Sequence, residues 1–430
     1  MPGLVTSRRF STYPYGVKLT LTSCILLAAA CMAGGETRKF DFGSSRAAPG
    51  TMVVEPDCDF SKERGYGFEI GVKPTAVDRG GDAWSGDFLT GQGGFCFSVE
   101  LPEGNYEVTV KLGDPKGSSD TTVKAESRRL MLEHIVTAKG EQITRKFTVN
   151  IRGPEIKDGS RVGLKQREKD YLHWDSKLTL EFNGPNPCVA GLLITPAPEA
   201  TTVFLLGDST VTDQPFEPWN SWGQMLPRFF KPGIAVANYA ESGESIRSSL
   251  SARRIAKAVS EAKKGDFVMV QFGHNDMKDK SPNALATYED NLTMLVASIS
   301  AKGAVPVLVT SMERKWGIQK DTLAGYPDAV RRVAKNEKAA LIDLHPVSRT
   351  LYIALGGKLD AAFQDGTHHN NFGSYEIAKC VVQGIREYVP DLAKFIADDV
   401  KSFDPAKPDD PDSFVMPASP MKDPTKPDGN

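Results

Sequence analysis

The chain reads as an all-β sandwich followed by a three-layer α/β domain, and a change of pattern near residue 200 carries that reading. Over residues 36–195, short apolar runs alternate with polar residues at period two, separated by Gly, Pro and Asp turns. From Val203 onward, nearly continuous apolar strands alternate with helical patterns instead. A length of 430 residues is enough for two or three domains, and a 40% hydrophobic content supplies their cores.

The first element is a leader. Arg8, Arg9 and Lys18 precede an apolar stretch at residues 19–33, which is short for a membrane span and fits a signal peptide over residues 1–33. Ala28-Ala29-Ala30-Cys31 resembles a lipoprotein signal, which would leave a lipid anchor at Cys31, although Leu is usual where Ala28 stands. Cleavage after Ala33 is the alternative, and a buried N-terminal helix is the structural one. The expectation is an exported protein: periplasmic, secreted or lipid-anchored at the envelope. No other segment is apolar enough to span a membrane. The net charge of -2 gives no footprint for nucleic acid as a partner.

Sandwich strands are expected at Lys39, Phe95, Tyr106, Arg145 and Lys177, where alternation gives one packed face and one wet face. Cys58, Cys96 and Cys188 fall in this half, and export permits a disulfide among them without specifying a pair. Cys380 sits in a helical pattern as an apolar filler. No Cys/His spacing reads as zinc. Asp57, Asp59, Asp82 and Asp87 are turn acids, more commonly solvated than calcium-binding. Trp84 and Trp174 read as core. A short linker at residues 196–202 leads to the second domain.

That domain covers residues 201–396. Its strands are expected at residues 203–206, 235–239, 267–271, 305–310 and 340–344. Tyr288, Leu292, Leu295 and Ile299 form one apolar helix face, and another helix is expected over residues 248–264. Continuous apolar strands imply a parallel sheet covered on both faces. Ligands in such folds bind at the carboxyl ends of the strands. Residues 401–430 are rich in Pro, Asp and Lys and are expected to lack a packed core.

Four loops at that edge carry chemistry. The first strand runs into Gly207-Asp208-Ser209, which puts a serine hydroxyl at the edge. A serine is a weak nucleophile until a base takes its proton. In Asp365-Gly366-Thr367-His368, the Asp can orient the imidazole through one ring nitrogen while the other faces the serine. Gly243 lies just beyond the second strand, where a bare backbone N–H can approach an oxyanion. Asn275, in Gly273-His274-Asn275-Asp276, can donate its amide to the same oxygen. Each loop alone is equally well a turn. Four in chain order, each at a strand's carboxyl end, point to acyl transfer.

These blocks resemble the SGNH (GDSL-type) hydrolases, which have a flavodoxin-like sheet. The stretches running from Gly207 to Asp213, from Gln271 to Asp276 and from Asp365 to Asn370 look closest to rhamnogalacturonan acetylesterases. The resemblance covers about residues 203–390. It implies Ser209 as nucleophile, His368 as base and Asp365 as acid, with Ser209 N–H, Gly243 N–H and Asn275 as oxyanion donors. It implies no metal or organic cofactor. The β region is more loosely similar to the galactose-binding-like sandwiches that accompany such esterases.

Further candidates are weaker. His274, Arg247 and Trp219 are candidate substrate contacts, with Arg314 and Lys315 as further cations near the edge. Trp219 and Trp222 serve equally to pack the first helix onto the sheet. Asp208 is expected to brace its loop, and His369 to be structural. The expected reaction is removal of acetyl groups from an acetylated, pectic polysaccharide, rhamnogalacturonan first. Another SGNH specificity (acetylxylan esterase or lipase) and an inert carbohydrate-binding envelope protein are the alternatives.

Overall fold

The computed structural model describes residues 36–43, 49–82 and 84–428, so the leader expected at residues 1–33, with Cys31, lies outside the described residues. Twelve strands precede residue 200: β1 (Arg38–Phe42), β2 (Met52–Val54), β3 (Tyr66–Gly71), β4 (Thr75–Asp78), β5 (Asp87–Thr90), β6 (Phe95–Glu100), β7 (Gly104–Leu112), β8 (Ser119–Ala125), β9 (Arg129–Thr137), β10 (Ile143–Ile151), β11 (Lys177–Asn186) and β12 (Val189–Pro196). One sheet has the order β10-β7-β12-β1-β2, with β5 and β4 added beside β12. The other has the order β3-β6-β11-β8-β9. The period-two rule is visible in β7, where Tyr106, Val108, Val110 and Leu112 are all buried. Phe40 and Phe42 each meet Phe97 edge-on at about 5 Å in the sandwich core.

The second domain is a parallel sheet of β13 (Thr201–Gly207), β14 (Ile234–Asn238), β15 (Phe267–Gln271), β16 (Val305–Val309) and β17 (Ala340–Ile342). Its order is β14-β13-β15-β16-β17, every neighbouring pair parallel. This is the doubly wound flavodoxin-like order, with its switch point at the carboxyl end of β13. Helices α1 (Trp222–Met225), α2 (Ile246–Ser251), α3 (Arg254–Glu261), α4 (Ala284–Ala301), α5 (Tyr326–Glu337), α6 (Leu344–Leu355) and α7 (Asn371–Tyr388) cover it. Val203 and Leu205 pack with α6 and α7 on one face. Phe204 and Leu206 pack with α3, α4 and α5 on the other. Both faces of each strand are therefore apolar, which is why these strands read as continuous runs. The helix expected over residues 248–264 is two helices, broken at Arg253 with φ +61°. The break lets Arg254 reach the buried carboxylate of Glu168.

The two halves interlock. The β8–β9 turn, with Glu126 at φ +57° and Arg128 at φ +63°, enters the second domain, and Leu130 joins its core. Arg129 Nε lies 3.3 Å from Asp213 Oδ2 and its guanidinium donates to Val236 O at 3.0 Å. Arg152 lies 3.6 Å from the same carboxylate oxygen. Besides the core the sandwich closes between its own two sheets, Ile156, Val162 and Trp174 pack into the α3–α5 face of the parallel sheet.

The C-terminal segment corrects the expectation that it lacks packing. Val400, Phe403, Phe414 and Met416 pack on the core beside α7. Further on, Lys124 Nζ donates to Pro417 O at 2.7 Å and Asn183 donates to Ala418 O at 2.9 Å. Ser419 is fully buried between Glu181 and Glu217. The strap is thus held by these apolar side chains up to Met416 and beyond it by buried polar groups.

Cys58, Cys96, Cys188 and Cys380 are free thiols, so the disulfide that export would permit does not form among the described residues. Trp174 is core, as expected, with its indole donating to Glu168 at 3.1 Å. Trp84 is half-buried, with Lys39 Nζ 4.4 Å above its ring.

The interlocking turn makes stability depend on pH. Burial pushes the Glu126 carboxyl up to about 8, against the opposing charge of Arg129 and with repulsion from Asp175. A carboxyl raised on folding contributes stability that is complete below its unfolded value and lost as pH rises through its folded one. Glu126→Gln should therefore raise the melting temperature relative to wild type by at least about 2 °C at pH 9, with the gap shrinking toward pH 5. Calorimetry across that range checks it; a gap that grows toward acid would reverse the assignment.

Candidate active site

Gly207 ends β13 because a side chain has no room there: a Cβ would meet Val211 Cγ2 at 2.6 Å and Gln271 O at 2.7 Å. The chain then turns on Asp208, which is fully buried. Its Oδ1 accepts from Thr210 N at 2.9 Å and Thr210 Oγ1 at 2.7 Å, and its carbonyl accepts from Val211 N and Thr212 N. Burial favours its neutral form, but His274 and the Thr210 donors overcome this and hold the carboxyl below its ordinary range. Asp208 thus braces the turn that presents Ser209.

Ser209 Oγ lies 2.8 Å from His368 Nε2, and His368 Nδ1 lies 2.9 Å from Asp365 Oδ2. Asp365 Oδ1 also accepts from Thr367 N and His368 N, both at 2.7 Å. Burial works against the charged carboxylate, but His368 and these two N–H groups prevail and push it well below the usual range. Lys426 Nζ, from the strap, lies 3.4 Å from Asp365 Oδ2. The imidazole is thereby oriented from one side while its other nitrogen meets the serine hydroxyl, the arrangement that moves a proton off serine.

Gly243, at φ +81°, lies just beyond β14. Its loop is tied back by Glu241 N to Gly207 O at 3.2 Å. Asn275 donates from Nδ2 to Glu244 O at 3.0 Å, and its Oδ1 accepts from Lys278 at 2.9 Å. Both groups thus sit on loops at the carboxyl edge of β13's two neighbours, as parallel register requires. Gln214 links the pieces by donating to Ser209 O at 2.8 Å and to Ser242 Oγ at 3.3 Å.

The remaining candidates separate. His274 is not a substrate contact: it is 2% exposed, with Nδ1 3.2 Å from Asp208 and Nε2 3.0 Å from Met312 O. Both partners are acceptors, so the ring is consumed in joining the loops after β13 and β16. Arg314 is likewise engaged, donating to His274 O, Thr322 O and Thr367 Oγ1. Lys315 pairs with Asp360 at 2.8 Å. Arg247 is 77% exposed on α2, 3.8 Å from Asp279, beside a shallow pocket that Asn275 also lines. Trp219 is 8% exposed, and its ring meets His368 edge-on at 5.7 Å. Trp222 packs, donating to Gln271 at 3.0 Å. His369 is structural: buried, bonded to Tyr352 at 3.0 Å, and pushed down to about 3 by burial and the neighbouring His368.

Two features escape the sequence reading. Trp316 is 62% exposed, and its Nε1 stands 3.1 Å from where a Cβ on Gly366 would lie, beside the turn that carries His368. Its only sequence signal is a tryptophan shortly after a strand's carboxyl end. The second is a cavity of about 380 Å³, within the usual range for ligand sites, lined in part by Gln214, Trp219 and Lys426, which touch Ser209, His368 and Asp365. Arg167 and Tyr171 of the first half, Phe216 and Trp219 of the β13 loop, and Lys426 of the strap line it.

As for metals, Asp57, Asp59, Asp82 and Asp87 do not converge; the group close enough to share an ion among the described residues is Glu313, Asp321 and His345. Its donors are already used. Glu313 accepts from Arg314 N, Thr322 and His345, and Arg331 donates to the other ring nitrogen of His345 at 3.4 Å. No helix among the described residues is long and apolar enough to cross a membrane.

Comparison with known proteins agrees with this geometry. Residues 205–374 match the GDSL-like lipase/acylhydrolase family, and residues 38–157 match the beta-agarase/YXIM esterase-like, galactose-binding domain-like family. Rhamnogalacturonan acetylesterase RhgT of Bacillus subtilis (strain 168) is 36% identical over 207 residues, 43% of this chain and 89% of that protein. The uncharacterized esterase YxiM of the same organism is 26% identical over 389 residues, 84% of this chain and 96% of that one. The crystal structure of the YxiM protein aligns with a TM-score of 0.44 at 25% identity, covering 82% of this chain and 98% of that one. The chain belongs to the GDSL-like lipase/acylhydrolase family: it is a serine ester hydrolase with an SGNH-type α/β domain behind a galactose-binding-like sandwich.

Proposed function

We propose that this enzyme removes acetyl groups from a pectic polysaccharide, rhamnogalacturonan first, through a Ser209–His368–Asp365 triad. The observation that carries the mechanism is the unbroken hydrogen-bond chain from Asp365 through His368 to Ser209. His368 takes the Ser209 proton as Oγ attacks the acetyl carbonyl. The oxyanion is met by Ser209 N–H, Gly243 N–H and the Asn275 N–H not spent on Glu244. His368 then protonates the departing sugar oxygen, and water repeats the cycle on the acyl group. Asp365, held ionised, stabilises the imidazolium without taking its proton. No cofactor enters this cycle.

The polysaccharide assignment draws on the relatives named for rhamnogalacturonan deacetylation, which are 36% and 30% identical over the catalytic half. The exposed Trp316 and the aromatic-walled cavity offer the flat apolar surfaces that sugar rings stack on. Acetylxylan is the second choice of substrate. Export fits a polymer substrate that cannot enter a cell, and the charged-then-apolar leader supports it, with a cleaved or Cys31-anchored form.

Ser209→Ala and His368→Ala should each lower kcat by several orders of magnitude, and the double variant should be little worse, because the pair acts as a unit. Near-full activity in folded Ser209→Ala would remove the nucleophile assignment. Asn275→Ala should cut kcat by about 10²–10³ with KM nearly unchanged, since its bond strengthens in the transition state. An effect confined to KM would make it an ordinary substrate contact.

The substrate is tested by acetate release from acetylated rhamnogalacturonan, acetylated xylan and an aryl acetate. Trp316→Ala should lower kcat/KM on the preferred polymer about fivefold more than on the aryl ester. Arg247→Ala should weaken hydrolysis of the acidic polymer selectively, and added salt should shrink that difference, because exposed charges are screened. Faster turnover of acetylated xylan than of pectin would replace the substrate.

A further inference from the structure

Arg128 stands on the β8–β9 turn of the sandwich, yet its side chain is 1% exposed and ends among the catalytic loops. One terminal nitrogen donates to Gln214 O at 3.2 Å and to Trp219 O at 2.8 Å. The other donates to Asn371 Oδ1 at 3.1 Å and lies 2.7 Å from Glu217 Oε2. Gln214 and Trp219 belong to the loop after Ser209, and Asn371 follows shortly after His368. The two loops that carry the serine and the histidine therefore meet on one guanidinium.

Three of these partners lead toward Ser209 or His368 by further contacts. Gln214 donates from its side chain to the carbonyl of Ser209 at 2.8 Å. Trp219 sets its ring edge-on to His368 at 5.7 Å. Asn371 accepts from Asn220 Nδ2 at 2.7 Å, and Asn220 N donates to His369 O at 3.1 Å, one residue from the base. Glu217 is the hub on the other side. Besides Arg128 it accepts from Asn371 at 3.2 Å and from Ser419 N of the strap at 3.0 Å.

We infer that Arg128 is a positioning residue for ester hydrolysis, by which the sandwich domain sets the spacing of Ser209 and His368. It touches neither substrate nor reacting atoms. Its planar fork is what lets one side chain hold two carbonyls and a carboxylate of the loop after Ser209 together with the Asn371 amide beyond His368, which a lysine ammonium cannot do. The turn adopts left-handed backbone at Glu126 and Arg128, a conformation disfavoured for these residues and upheld by the surrounding contacts. This inference needs only the triad of the proposed function, not its polysaccharide.

The test uses the full chain and an aryl acetate, with active sites titrated by a fluorophosphonate. Titration counts correctly assembled protein, so kcat per titrated site separates positioning from loss of folded enzyme. Arg128→Lys should lower kcat per site about 10- to 100-fold with KM within about twofold, and slow phosphonylation in parallel. Arg128→Ala should behave the same way and regain activity with added guanidinium ion but not with ammonium. Glu217→Gln keeps the volume and the neutral contacts, and should lower kcat per site by a smaller factor through a loosened Arg128. A kcat per titrated site within twofold of wild type in Arg128→Lys overturns the inference; so does an unaltered value in Glu217→Gln where the Arg128 variants do not fold. Ser209→Ala inactive alongside an unaffected Arg128→Lys would leave the triad intact and remove only the role of Arg128.

Discussion

Arg128, Arg129, Arg152 and Arg254 are all buried where the sandwich meets the α/β domain, and an unpaired guanidinium there would cost several kcal/mol. Each is answered by a carboxylate: Glu217 for Arg128, Asp213 for Arg129 and Arg152, Glu168 for Arg254. Asp213 and Glu217 both lie on the loop that follows Ser209. The charges of one domain therefore dictate where the loop after Ser209 in the other must lie. Such pairs add little net stability compared with an apolar contact, but breaking one strands a buried charge. Their effect is to select one arrangement of the loop out of many that apolar packing alone would tolerate.

The same logic explains which parts of the molecule were legible in the sequence. All five strands of the parallel sheet are readable because both of their faces are apolar, and Ser209, Gly243 and Asn275 are readable because each follows such a strand directly. Asp365 and His368 are readable because a spacing of three positions suffices for the orienting bond. The sandwich is read less completely. β8 and β9 carry Thr121, Thr122, Lys124 and Arg129, all buried, and polar residues do not announce that their far side is covered. The run Glu126-Ser127-Arg128-Arg129 looks like an exposed hairpin tip, yet every one of its residues is buried. His274 misleads in the opposite direction: a histidine beside Asn275 at a ligand-binding edge looks functional, but both of its nitrogens are used within the fold.

The strap shows why composition misjudges its own class. Segments rich in Pro, Asp and Lys lack the apolar area to order themselves. Here the ordering comes from outside. Glu181, Asn183, Lys124 and Glu217 present buried donors and acceptors that each gain a further partner in Pro417, Ala418 or Ser419. The sandwich strand β11 and the loop after Ser209 thus share one backbone cover, which then carries Lys426 to the Asp365 carboxylate.

This division of labour is not a requirement of the fold. The family match begins at residue 205 and ends at 374, and 43% of this chain is matched to 89% of RhgT, so the α/β part suffices for the family's architecture. What the fold does require is that the loop after the first strand be held still while its neighbours supply N–H groups. In a single α/β domain that restraint has to come from the loop's own residues or from neighbouring helices. In this chain the internal restraints are Asp208 and Gln271 on Thr210, with Gln214 tied back to Ser209 O. Beyond Thr212 the loop is held by Asn238 and by charges of the sandwich, with the strap over Glu217. The cavity is walled by the sandwich, the loop and the strap together, because all three converge where the loop is held.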